Sequence, residues 1–110
     1  MTKNVLSHSE LADFRKKLTK MFAILRKEGF FVGRNYMCCQ SCGWAEIEPK
    51  GFENVVFYHK QDTPNILDGY LYLAWCGDAE KIHSAIENAG LFTKHDGDKN
   101  KRIMITFRNE

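Results

Sequence analysis

A chain of 110 residues with 44% hydrophobic and 13% aromatic content is long enough for one cored domain, residues 1–110, and too short for two. This composition excludes a disordered chain, and no stretch nears the roughly 18 apolar residues of a membrane span. The net charge of +2 excludes whole-molecule mimicry of nucleic acid, yet it hides a segregation: residues 1–37 carry +5, residues 38–90 carry −5 and residues 91–110 carry +2.

Met1 to Ser9 is polar and lacks the apolar centre of a signal peptide. The expectation is a cytoplasmic protein, where disulfides rarely persist. Ser7 and Glu10 then fit a capping box. Leu11, Phe14, Leu18, Met21, Phe22 and Leu25 recur at helical spacing, which predicts an amphipathic helix closed near Glu28-Gly29. Arg15, Lys16, Lys17, Lys20 and Lys27 fall on its outer face, where they can meet a phosphate backbone directly or remain an ordinary solvated surface.

Phe30-Phe31-Val32 predicts a strand continuing through Asn35-Tyr36-Met37 into the cysteines, and Val55 to His59 predicts a second. Gln61 to Asn65 reads as a loop leading into a short helical turn. From Tyr70 to Trp75 the residues alternate, with Leu71, Leu73 and Trp75 on one face. Asp78 suits the N-cap of a second helix with Ile82, Ala85, Ile86 and Ala89 inside. Leu91 to Thr93 and Arg102 to Phe107 flank a turn-rich segment and predict a hairpin. The order predicts an α+β domain, with the N-terminal and second helices packed on one face of a mainly antiparallel sheet.

Three of the four cysteines fall within Cys38-Cys39-Gln40-Ser41-Cys42-Gly43, and the fourth is Cys76. Cys39 and Cys42 have zinc-knuckle spacing, which supplies two of the four ligands that a structural Zn2+ takes. The remaining ligands must come singly from Cys38, His59 or Cys76, with His83 a weaker candidate. Strand ends converging on one rim would bring His59 and Cys76 together, and a turn at Cys38 would let it join Cys39. Asp62, three residues after His59, suits an outer partner for a metal-bound imidazole, although a loop carboxylate more often bonds its own backbone.

The redox alternative needs the Cys-x-x-Cys unit at a helix N-terminus. Here Gly43 to Glu48 allows at most a short helix before Pro49, Glu46 and Glu48 oppose thiolate formation, and no clear strand–helix–strand unit surrounds the motif. Plain buried thiols, or a thiol nucleophile with His59 as base, are the other readings. A four-ligand zinc leaves no open position for catalysis, and no phosphate loop or H-E-x-x-H helix is present.

The pieces Cys38-Cys39-Gln40-Ser41-Cys42-Gly43, Phe57-Tyr58-His59-Lys60-Gln61-Asp62-Thr63 and Leu71-Tyr72-Leu73-Ala74-Trp75 resemble a family of small uncharacterised bacterial domains. That family carries a CCxxCG motif, a tyrosine–histidine–x–glutamine–aspartate stretch and an apolar strand. The resemblance covers most of residues 30–107 and implies that His59 and the three cysteines form one unit. Cys76 departs from the pattern. A looser resemblance, in size and segregated charge, is to small zinc-containing anti-CRISPR proteins of phages and mobile elements. It implies a non-enzymatic inhibitor whose protein partner is a type II RNA-guided nuclease, blocked from DNA by contact with its basic channels.

Overall fold

A computed structural model describes residues 5–108; Met1 to Asn4 of the polar N-terminal stretch lie outside the described residues. Ser7 caps helix α1 (His8–Lys27). Its hydroxyl accepts the Glu10 N–H at 3.2 Å, and the Glu10 carboxylate accepts the Ser7 N–H at 2.9 Å. The helix buries Phe14, Leu18, Met21, Phe22 and Leu25 completely and leaves Arg15, Lys16, Lys20 and Lys27 exposed. Lys17 departs from that outer face, with its ammonium 5.0 Å from the centre of the Phe107 ring.

The remaining elements are β1 (Phe31–Gly33), α2 (Gln40–Ile47), β2 (Val55–Phe57), β3 (Tyr70–Cys76), α3 (Ala79–Asn88), β4 (Phe92–Thr93) and β5 (Ile103–Thr106), with 3₁₀ turns at Glu48–Lys50 and Thr63–Asp68. They build a five-stranded sheet in the order β1-β2-β3-β5-β4. Only β1 and β2 pair in parallel; the other three pairings are antiparallel, as β4 with β5 in the expected hairpin. The fold is therefore α+β with a mostly antiparallel sheet.

The alternation predicted for β3 holds. Leu71, Leu73 and Trp75 join Val56 and the inner faces of α1 and α3 in the main core. The opposite face buries Val55, Phe57 and Ala74 under Ile47 of α2, with Trp44 packed alongside. Two helices thus cover one face, as expected, and α2 covers the other. A parallel strand pair cannot be joined by a tight turn, and α2 is the crossover between β1 and β2.

Two sequence expectations change. β1 ends at Gly33 instead of running into the cysteines, because Asn35 and Met37 adopt φ of 52° and 60°. These left-handed residues fold Tyr36 back onto Phe31 and Phe57, with ring centres 5.5 and 5.9 Å apart. The second change is α2 itself, which begins three residues before the Gly43 limit.

At α3, the Asp78 carboxylate accepts the N–H groups of Glu80 and Lys81 at 3.0 and 3.3 Å. Asp78→Ala is expected to lose about 1 kcal/mol, the usual value of such a cap. A midpoint in urea unchanged from the parent would contradict it.

Candidate metal centre

The crossover from β1 to β2 positions the cysteines. Met37, at φ 60°, supplies the turn that lets neighbouring residues aim at one point. Cys39 is the extended N-cap of α2, at φ −157° and ψ 172°, and Cys42 lies in the helix's first turn. The Cys38 sulfur is 3.8 Å from that of Cys39 and 3.4 Å from that of Cys42. All three sulfurs lie within 4.8 Å of one another, and none is in a disulfide. Four thiolates at about 2.3 Å from a tetrahedral zinc would stand about 3.8 Å apart. Three sulfurs at these separations can hold a metal ion.

The thiols differ in acidity. The Cys42 backbone N–H, donating to the Cys39 sulfur, holds the Cys39 thiol below its ordinary range. Hydrogen bonding and charge from Cys38 and Cys39 push Cys42 up to about 11. Adjacent thiolates repel, so one ionises readily and the next resists. A dication eases that conflict, because its two positive charges offset most of the three negative ones.

Gly43 fixes how closely this helix approaches the sheet. A Cβ there would lie 2.5 Å from the Phe57 ring. Alanine normally favours a helix interior over glycine by about 1 kcal/mol. Here the sign is expected to reverse, with Gly43→Ala destabilising by about 1–3 kcal/mol through overpacking. A raised melting temperature for the variant would refute the close approach.

His59 and Cys76 lie outside this sulfur group. The register of β2 and β3 separates them: Cys76 pairs with Val55, at the end of β2 remote from His59. The expectation that both strand ends share one rim is corrected here. Antiparallel strands present their C-terminal ends on opposite rims. Cys76 bonds the Glu53 carbonyl at 3.7 Å instead, and burial pushes its thiol up.

His59 is only 4% exposed, and its Nε2 lies 3.1 Å from the Asp62 carboxylate. Asp62, itself buried, is also bonded by the guanidinium of Arg102, which in turn donates to the Tyr72 carbonyl at 3.2 Å. The sequence reading missed Arg102. It lies 40 residues from Asp62, and no local pattern links them. His83 is placed elsewhere, 3.4 Å from the His95 ring nitrogen beside Trp75.

A second feature lies at the other end of α2. Trp44, Ile47, Glu48, Phe52, Val55, Trp75 and Cys76 line a groove of about 360 Å³. Phe52 is 44% exposed there.

Fold and site together define a small α+β domain whose three clustered cysteines sit in a strand–helix–strand crossover. Residues 7–109 match the family model described as Domain of unknown function (DUF6891), and the chain belongs to that family. No curated protein and no solved structure matches it. Among the described residues, no helix is long and apolar enough to cross a membrane.

Proposed function

We propose that this is a zinc-stabilised protein-binding domain without catalytic activity. The observation that carries it is the convergence of Cys38, Cys39 and Cys42 within 4.8 Å. A zinc ion there would lock residues 38–42 and fix the start of α2, whose far end walls the apolar groove. Glu48 gives the groove an acidic group. A basic protein segment with an apolar anchor suits that surface, and the −5 charge of residues 38–90 favours such a partner.

The finer reading, an anti-CRISPR-type inhibitor of a type II RNA-guided nuclease, is supported by chain size and charge segregation. Pull-down by purified nucleases tests it, with Phe52→Glu in the groove as the control. Failure to recover any of them removes this reading.

Elemental analysis of protein purified without added zinc tests the metal. About one zinc per chain is expected, with Cys38, Cys39 and Cys42 protected from alkylation at neutral pH. Metal-free protein in which these thiols alkylate fully would overturn the proposal.

One observation favours a second reading. Two of the grounds for setting redox chemistry aside were a late helix start and the lack of a strand–helix–strand unit. Both are corrected by β1–α2–β2, with Cys39 at the N-cap and Cys42 in the first turn of α2. In a thiol–disulfide oxidoreductase, Cys39 would attack a client disulfide and Cys42 would resolve the mixed disulfide. That reading predicts a reversible Cys39–Cys42 disulfide and turnover of a model disulfide substrate by the zinc-free protein.

A further inference from the structure

We infer that His59 completes the metal site as the fourth ligand, through Nδ1, and that Asp62 and Arg102 act as positioning residues for its ring. This rests on the zinc reading above and settles which of the distant candidates joins the cysteines.

The first observation is the state of the imidazole. Nε2 faces the Asp62 carboxylate at 3.1 Å, so it carries the proton and donates it. In the neutral ring Nδ1 is the lone-pair nitrogen, and it is buried without a hydrogen-bond partner. A buried acceptor with no donor is rare in folded proteins. A metal ion is an electron-pair acceptor that suits it, and an imidazole that binds metal through one nitrogen commonly gives its other N–H to a carboxylate.

The second observation is position. The chain after β1 stays tied to the chain after β2. Tyr36 N–H donates to the Tyr58 carbonyl at 2.8 Å, and Lys60 N–H donates to the Met37 carbonyl at 3.1 Å. His59 lies between those bonds, beside the residue that precedes Cys38. Val56 and Tyr58 belong to the α1–α3 core, whereas Val55 and Phe57 belong to the α2 side. Continued alternation carries His59 to the face that α2 covers. Arg102 lies there too, sharing a cleft with Gln40 and Trp44 of α2.

The imidazole is not within the 4.8 Å sulfur group, so ligation draws the cysteine turn and the ring together. The segment that has to move is short, running from Met37 to the start of α2. Cys76 offers no comparable route, because its strand register holds it at the opposite rim.

X-ray absorption at the zinc edge of the intact, zinc-loaded protein tests the assignment. Three sulfurs and one nitrogen with the outer-shell scattering of imidazole are expected. Asp62→Asn should keep that ligand set but weaken zinc binding about 10–100-fold, the usual effect of losing an outer partner. Bound zinc with four sulfurs, or with three sulfurs and no imidazole scattering, would overturn the His59 assignment and leave the zinc site standing. Protein that binds no zinc would remove both. Unchanged affinity in Asp62→Asn would refute the positioning role.

Discussion

Replacing Phe57 with alanine is expected to cost about 3–5 kcal/mol, the range for deleting a fully buried phenylalanine ring. Phe57 is completely inaccessible to solvent and stands at the joint between sheet and crossover. Its ring centre lies 5.1 Å from that of Trp44 and 5.9 Å from that of Tyr36. Gly43 presses against the same ring from α2. Ile47, Val55 and Ala74, which are buried with it, are all smaller than the ring and cannot easily fill the void. A loss of this size is a large part of the roughly 5–15 kcal/mol total stability of an ordinary domain. Chemical denaturation measures it, and near-ultraviolet circular dichroism of Trp44 should show α2 loosened even where the variant stays folded. A change below about 1 kcal/mol would mean that α2 does not depend on this contact.

The second large effect concerns the metal. Zinc that binds only the native state stabilises it by about 4 kcal/mol when free zinc is a thousandfold above Kd. For a domain of this size about 1 kcal/mol moves the melting temperature by about 4 °C, so chelation should lower it by about 15 °C. The chain should nevertheless remain folded without metal. Its main core runs from Leu6 to Ile105 and is formed mainly by α1, α3 and the sheet, without the cysteines. Zinc withdrawal should therefore expose amide protons of residues 34–47 to hydrogen exchange well before those of β3. Identical melting with and without chelator, in protein shown to have carried zinc, would disprove a structural role. Global unfolding on chelation would show that the second core is not the subsidiary one.

Much of the fold was legible because its signals are local. The capping box at Ser7 and Glu10 and the three- and four-residue spacing from Phe14 to Leu25 involve groups within one or two turns of each other. Asp78 caps α3 through N–H groups two and three residues away. The alternation of Leu71, Leu73 and Trp75 follows from the pleat of a single strand. The cysteine cluster was legible for the same reason, since Cys38, Cys39 and Cys42 can meet within one turn.

Long-range pairing decided the rest. Nothing local states that β1 and β2 run parallel, and that direction turns the cysteine segment into a helical crossover on the second face. The antiparallel register of β3 sends Cys76 to the rim away from His59, whereas two candidate ligands at two strand ends look equivalent along the chain. Asp62 meets Arg102 only because β5 inserts between β3 and β4 and brings its first residues beside the 3₁₀ turn after β2. By itself the sequence determined α1, α3, the apolar faces of the main core and the chemistry of three clustered thiols, all set by contacts a few residues apart. The placing of Cys76 and His59 on opposite rims was decided by strand order and direction, through backbone hydrogen bonds between segments that carry no mark of their partner.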